Sequence, residues 1–177
     1  MVLLDLSTIG PWTIEAIAGT LAPKGVVVRS GAVTLGVKAA IAGTLAVYLD
    51  KDVAEDPGLR PVVDTMAASV LATSGTGNAK IIKLINNLMV GVNVAATAEA
   101  FALAEKAGLP AEILHPLIMK GSGASFALAN QIADAIAGEV GVGRFGTTYI
   151  LKDLRIAMEM AKRSRHTMLF GATGMAA

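Results

Sequence analysis

Cysteine is absent from the 177 residues of this chain, and histidine occurs twice, at His115 and His166. The lack of cysteine excludes thiolate catalysis, disulfide bonds, iron–sulfur clusters and cysteine-ligated zinc. With so few strong ligands, we expect no metal site. A chain without disulfides is compatible with a reducing compartment, and we predict a cytoplasmic location.

Aromatic and charged residues are also scarce, at 4% and 16%, whereas hydrophobic residues make up 54%. The interior must therefore be built from Ala, Val, Leu, Ile and Met, which favours helices that pack through small side chains. The 15 basic and 14 acidic residues nearly cancel, for a net charge of +1. Proteins that bind the phosphate backbone use a basic excess, so we predict no nucleic-acid partner.

No export signal and no membrane span are expected. Asp5 interrupts the apolar start of the chain, and no basic residue precedes it. The longest uncharged stretch in the middle, residues 84–98, contains three asparagines and is shorter than the roughly 20 apolar residues of a spanning helix. It is typical of a buried helix, and we predict no membrane association.

The first part of the sequence consists of short apolar runs separated by glycine and proline. The runs predict strands at residues 2–6, 25–28 and 44–49, with a helix at residues 13–21. Strand, helix and strand at this spacing form a βαβ unit. A charged connector follows at residues 50–58, and Pro61 is expected to open a helix that ends near Leu71.

From Asn78 onward the pattern becomes helical, with helices expected at residues 78–107, 111–119, 125–137 and 148–165. Gly108 and Gly121 stand where helices commonly end. The first helix is long and apolar nearly all round, which indicates burial on most sides. A chain of this size can hardly cover it alone, so we predict a homodimer or a higher homo-oligomer.

Two glycine clusters suggest phosphate binding but have the wrong context. Residues 141–146 read Gly-Val-Gly-Arg-Phe-Gly, yet they follow a helical segment, and His166 stands where a dinucleotide site needs an acid. They predict a loop between helices. The cluster at residues 75–80 lacks the spacing of a P-loop.

Lys83 and Asn87 are more informative, because they are four residues apart and share one face of an apolar helix. A partly desolvated lysine has a lowered pKa, as a general acid/base near neutral pH requires, and an amide can orient it without adding charge. The alternative is a lysine whose stem lies along the helix while its ammonium reaches water. Spacing alone does not separate these interpretations.

Four motifs in order resemble those of the β-hydroxyacid dehydrogenases, which include the 3-hydroxyisobutyrate dehydrogenases. The string Lys83-x-x-Asn86-Asn87, with residues 97–100 and 104–109, is similar to the interdomain helix of that family. The other three motifs are Ser-Thr-Ile-Gly-Pro at residues 7–11, Ser30-Gly31 with Gly-Thr-Leu at residues 43–45, and Phe145 with Lys-Asp-Leu at residues 152–154. The resemblance covers almost the whole chain.

The resemblance implies a function and a set of substrate residues. The chain would act on small β-hydroxy acids, with hydride passing between the substrate carbon and the nicotinamide of NAD or NADP. Lys83 would be the general acid/base that exchanges a proton with the substrate hydroxyl. Asn87 would hold that hydroxyl and the lysine, while Ser30 and Gly31 would bind the substrate carboxylate.

For the cofactor, the resemblance implies that Thr8 and Lys152 lie along the nicotinamide ribose. It also implies a fold that is α/β followed by all-α. Residues 1–75 would be a partial NAD(P)-binding Rossmann-type domain, and residues 76–177 a truncated helical dehydrogenase domain that dimerises.

Departures from the family lead to a second hypothesis. Family members begin with a βαβ unit that carries GxGxxG for the pyrophosphate, and no such unit stands before Met1; Ala32 replaces a glycine of the substrate loop. We therefore expect weak or absent cofactor binding and an inactive short form. The alternative function is a non-catalytic helical dimerisation module derived from such an enzyme.

Overall fold

The computed structural model describes residues 1–75, 77–138 and 146–176. Strands and helices alternate up to Thr73, and the described residues after it form helices. The predicted order of α/β followed by all-α is therefore confirmed. Most of the 141–146 glycine string, with Phe145, lies outside the described residues.

The elements of the chain are as follows. The strands are β1 (Val2–Asp5), β2 (Val27–Thr34), β3 (Leu45–Asp50) and β4 (Ala67–Thr73). The helices are α1 (Pro11–Leu21), α2 (Gly36–Ile41), α3 (Lys51–Ala54), α4 (Arg60–Asp64), α5 (Asn78–Lys106), α6 (Ala111–Ile118), α7 (Ala133–Ile136), α8 (Thr147–Arg163) and α9 (Leu169–Ala176). A 3₁₀ turn spans Ala22–Lys24, and a π-helical turn spans Leu128–Ile132.

The four strands form one sheet in the order β1-β2-β3-β4. β1 and β2 are parallel and flank α1 in sequence, which confirms the predicted βαβ unit, whereas β2 and β3 are antiparallel. Ser30 pairs with Asp5 at the end of β1, and Gly31 pairs with Leu49 of β3. The end of β1 therefore lies beside the middle of β2.

The helix expected from Pro61 to Leu71 is wrong beyond its first turn. Pro61 stands in the first turn of α4, as predicted, but α4 ends at Asp64 and the next segment is β4, parallel to β3. Of the β4 residues only Thr73 is buried, so the strand has little hydrophobic alternation. Pairing with β3 decides its conformation.

The helix expected over residues 125–137 is also interrupted. Its middle is the π-helical turn Leu128–Ile132, which leads directly into α7. The short helices α2 and α3 are absent from the sequence-based prediction because each is no longer than six residues. Periodicity cannot identify helices of that length.

Close packing of α5 against α8 brings the second half of the chain together. A Cβ on Gly91 of α5 would lie 3.1 Å from Leu154 Cδ1 of α8, so only glycine allows this approach without a shift. Leu84 of α5 and Leu154 and Ala157 of α8 are fully buried or nearly so. One turn before Gly91, the same contact places Asn87 beside α8.

One side of α5 is left uncovered by the described residues. Ile81, Ile82 and Ile85 are each about 40% exposed, and Met89 is 61% exposed. Among the described residues, α5 is the single helix long and apolar enough to cross a membrane, and 22% of its most apolar stretch is buried. The predicted partner subunit stays a prediction.

Candidate active site

Lys83 lies in the second turn of α5 and is only 7% exposed. Burial lowers the pKa of its ammonium below the ordinary value of 10.5; the charge of Asp153 opposes this change and that of Lys152 adds to it. Within the described part of the chain, Lys83 Nζ has no hydrogen-bond partner. The N–H groups of this nearly buried ammonium are therefore available to donate hydrogen bonds to a small molecule.

Asn87, one turn after Lys83, is held by neighbouring side chains. Its Nδ2 donates to Asp153 Oδ2 at 2.5 Å, and its Oδ1 accepts from Asn86 Nδ2 at 3.0 Å. Asn87 is 4% exposed and Asp153 is 1% exposed. The carboxylate from α8 therefore sets the orientation of the amide.

Asp153 also connects to the start of the chain through its sequence neighbour. Its Oδ1 lies 2.7 Å from Lys152 Nζ, an ion-pair distance, although the angles are not those of a hydrogen bond. Lys152 Nζ donates to the carbonyl oxygen of Thr8 at 2.7 Å. A chain of direct contacts thus joins the expected cofactor residues Thr8 and Lys152 to Asn87.

Ser30 and Gly31 lie in the middle of β2 and have different surroundings. Ser30 is 3% exposed, and its Oγ is buried without a hydrogen-bond partner among the described residues. At Gly31 a Cβ would lie 2.7 Å from Leu49 Cδ2 and 2.8 Å from Leu6 Cδ2, so a side chain there would force both leucine side chains to move. Ser30 therefore offers an unused hydroxyl, and Gly31 lets β2 pack closely.

The sequence motifs thus come together in two groups. Thr8, Asn87 and Lys152 form one group through Asp153, and Gly31 is linked to α5 by Lys80, whose Nζ lies 2.8 Å from Gly31 O. Two shallow grooves run along α1 and beside α3, and no candidate site residue lines either of them.

Sequence reasoning missed Asp50, which it assigned to a charged connector. Asp50 is 1% exposed and ends β3. Its carboxylate accepts the backbone N–H groups of Gly77 at 2.7 Å and Ala79 at 3.0 Å, at the N-terminus of α5. These N–H groups have no partner within the helix, and the helix dipole favours an anion there. The position of Asp50 at the end of an apolar strand was the available signal.

Lys80 was also missed, although it is as unusual as Lys83. It lies three residues earlier on the same apolar helix and is 0% exposed. Sequence reasoning weighed one lysine of the pair and left the other aside. A second lysine in the first turn of a buried helix was a visible signal.

The comparisons with known proteins show the family of the chain. Residues 77–177 match the family described as NAD-binding of NADP-dependent 3-hydroxyisobutyrate dehydrogenase, and this match covers more than half of the chain. The chain belongs to this family. The resemblance to β-hydroxyacid dehydrogenases that the sequence motifs carried is therefore confirmed.

Two individual relatives support the same family membership. The chain is 32% identical over 161 residues to 2-(hydroxymethyl)glutarate dehydrogenase of Eubacterium barkeri, a match that covers 91% of this chain and 54% of that protein. It is 31% identical over 176 residues to 3-hydroxyisobutyrate dehydrogenase of Pseudomonas aeruginosa, covering 96% of this chain and 59% of that protein. The chain thus spans little more than half the length of these curated relatives.

A solved structure matches the whole fold. The crystal structure of a 3-hydroxyisobutyrate dehydrogenase from Salmonella typhimurium superimposes with a TM-score of 0.88 at 28% identity, covering 99% of this chain and 61% of that one. The four-stranded sheet and the helices that follow are therefore those of a Rossmann-like dehydrogenase.

Proposed function

We propose that this chain provides the catalytic lysine and the substrate-binding strand of an NAD(P)-dependent oxidoreductase for small β-hydroxy acids. One observation carries the proposal: the nearly buried ammonium of Lys83 has no hydrogen-bond partner in the described part of the chain, and Asn87 lies beside it, oriented by Asp153. Two relatives named as hydroxy-acid dehydrogenases support it.

The lysine moves the proton of the reaction. A bound nicotinamide would take up hydride from the substrate carbon during oxidation and return it during reduction. In oxidation, neutral Lys83 accepts the hydroxyl proton as the C–O bond becomes C=O; in reduction, the ammonium donates a proton to the carbonyl oxygen. Because burial lowers the pKa of Lys83, more of it is neutral near physiological pH than of an exposed lysine.

The substrate is held at its two ends. The unpartnered hydroxyl of Ser30 donates to the substrate carboxylate, next to the closely packed backbone at Gly31. Asn87 Nδ2 has a second N–H that is not used by Asp153, and it donates to the reacting oxygen.

The described residues fit the nicotinamide end of the cofactor. Thr8 follows the carboxyl end of β1, and Lys152, whose side chain is 49% exposed, places a positive charge beside it. The turn from β1 to α1 contains a single glycine, Gly10, so it does not have the glycine-rich form that binds a pyrophosphate. We therefore expect this chain to bind NAD or NADP weakly.

Binding can be followed through the single tryptophan. Trp12 lies near the start of α1, with the Arg163 guanidinium 4.3 Å from its ring centroid. Titration of NADH or NADPH against Trp12 fluorescence is expected to show little or no saturation. Tight binding by the 177-residue chain would contradict the expectation of weak affinity.

The function is tested by turnover with NAD⁺ or NADP⁺ at high concentration. The substrates are 3-hydroxyisobutyrate and 2-(hydroxymethyl)glutarate, which appear in the names of two relatives. The sequence predicts an inactive short form, but Lys83, Asn87 and Asp153 are all in place, so we propose slow oxidation by the parent chain at high cofactor concentration. For Lys83→Met we expect a loss of roughly 10²- to 10⁴-fold in kcat. The exposed Lys24→Met is the matched control. Equal turnover by Lys83→Met and the parent, or no turnover by the parent, would refute the proposal.

The uncovered side of α5 favours the dimerisation module as a second candidate. Ile81, Ile82, Ile85 and Met89 lie within a nine-residue stretch and are all substantially exposed. We propose that a second copy of the chain covers them. Sedimentation of the parent and of Met89→Glu tests this: a dimer that dissociates in the variant, without any turnover by the parent, would favour the module over the enzyme.

A further inference from the structure

Lys80 is a buried cation whose hydrogen bonds are complete. Its side chain is 0% exposed, and its ammonium has three N–H groups. These groups meet Asp5 Oδ1 at 2.5 Å, Ser7 O at 2.8 Å and Gly31 O at 2.8 Å, with Asp5 O further away at 3.1 Å. Lys80 therefore has no free N–H group with which to reach a substrate.

The oxygens around Lys80 come from the segments that carry the proposed site. Asp5 ends β1, and Ser7 directly precedes Thr8 in the turn to α1. Gly31 directly follows Ser30 in β2. Two of the three closest oxygens are backbone carbonyl oxygens. The ammonium of Lys80 therefore holds the main chain itself in position.

Lys80 also lies one turn before Lys83 on α5. Residues three apart on a helix are neighbours on its surface. The bonds of Lys80 hold the first turn of α5 against β1 and β2, and this contact determines how far Lys83 lies from the two sheet segments.

We propose that Lys80 is a positioning residue that joins the Ser7–Thr8 turn, the Ser30–Gly31 segment and the first turn of α5 in a single arrangement. Lys83 is thereby aligned with the residues that bind substrate and cofactor. This inference rests on the proposed function, because alignment matters only if Lys83 reacts. Lys80 itself touches no reactant.

A lysine suits this place better than a neutral side chain. Three oxygens converge on one point, and an ammonium has three donors where an amide has two. The carboxylate of Asp5 compensates the buried charge, and its side chain is 22% exposed, so water reaches it as well. The three hydrogen bonds of the buried ammonium form together in one arrangement of the three segments, so the charge favours that arrangement.

The test compares Lys80→Met with Lys24→Met. Methionine keeps the length of the side chain but removes every N–H group. We expect roughly a 100-fold lower kcat/KM in Lys80→Met, mainly through kcat, since a misplacement of about 1 Å has that effect. Lys24→Met should behave like the parent. If folded Lys80→Met keeps the kcat and KM of the parent, the positioning role is wrong.

Amide hydrogen exchange tests the positioning role of Lys80 without any measurement of enzyme activity. The Ser7 amide donates to Asp5 Oδ1 at 3.2 Å, so its protection reports on the carboxylate that Lys80 holds. We expect faster exchange in Lys80→Met at residues 5–9 and 29–32 and unchanged exchange in α8. If the parent has no turnover, the proposed function fails, and exchange alone decides: local loosening supports the positioning role, and uniform or absent loosening overturns it.

Chemical rescue covers the case in which Lys80→Met does not fold. The chain has no cysteine, so Lys80→Cys provides a unique thiol. Alkylation of this thiol with bromoethylamine in denaturant, followed by refolding, places an ammonium at nearly the original position. Recovery of protected exchange at residues 5–9 and 29–32 supports the proposal, whereas refolded protein that lacks this protection contradicts it. Parent protein taken through the same cycle is the control.

Discussion

The first and second turns of α5 each bury a lysine, and the two lysines have opposite surroundings. Lys80 donates to three oxygens of the sheet region, whereas Lys83 has no hydrogen-bond partner among the described residues. Burial lowers the pKa of both ammonium groups. The difference lies in their neighbours: the first turn faces the ends of strands, and the second faces the carboxylate of Asp153. A buried lysine with complete bonds holds structure, and one with free N–H groups is available for chemistry.

Of the changes considered, replacing a buried lysine by methionine should alter the free energy of unfolding most. The effect should differ between Lys80 and Lys83. We expect Lys80→Met to lose about 3 kcal/mol of the free energy of unfolding, because it leaves Asp5 and the carbonyls of Ser7 and Gly31 without their donor. The value is at the lower end of the range for broken buried pairs, since Asp5 can regain water. Lys83→Met should be neutral or slightly more stable, because it removes a charge without a partner. Urea unfolding measures both, and equal losses would break the comparison.

The stability of the parent should rise with pH in the alkaline range. A lysine with a lowered pKa in the folded state binds fewer protons there than in the unfolded chain, so unfolding takes up protons. The rise lies between the lowered folded-state pKa and 10.5, with a slope of at most about 1.4 kcal/mol per pH unit for each group. Lys83→Met should keep only the share that comes from Lys80. An unchanged slope in Lys83→Met would show that Lys83 is not desolvated.

The two charged neighbours from α8 should shift the pH profile of oxidation in opposite directions. The charge of Asp153 raises the pKa of Lys83, and that of Lys152 lowers it. Asp153→Asn should therefore move the alkaline rise in kcat/KM to lower pH, and Lys152→Met should move it to higher pH. Shifts in the same direction would contradict the assignment of this titration to Lys83.

Ser30→Ala should have the smallest effect on stability. The Ser30 hydroxyl is buried without a partner among the described residues, so it resembles Lys83 rather than Lys80. We expect a change within about 0.5 kcal/mol, with a clear rise in KM for the hydroxy acid. Ser69→Ala, in exposed β4, is the control for an ordinary serine. A large loss of stability in Ser30→Ala would show that the hydroxyl has a structural role.

The sequence predicted those parts of the molecule that depend on local patterns. Short apolar runs located β1, β3 and the start of β2, and long periodicity located α5 and α8; the strand expected at residues 25–28 is in fact Val27–Thr34. The pair of Lys83 and Asn87 stood out because a charge and an amide on an apolar helix face are conspicuous. β4 was missed because its small, exposed residues have no pattern, and the backbone of β3 selects its conformation.

The sequence by itself determined the family, the order of an α/β part followed by a helical part, and the candidate lysine, since these depend on motifs and on the spacing of neighbouring residues. Only the tertiary structure decided which polar groups are paired. The oxygens that bind Lys80 lie 49 to 75 residues earlier in the chain, and Asp153 lies 66 residues after Asn87. Such contacts depend on how strand ends and helix turns meet in space, and no spacing along the chain records them.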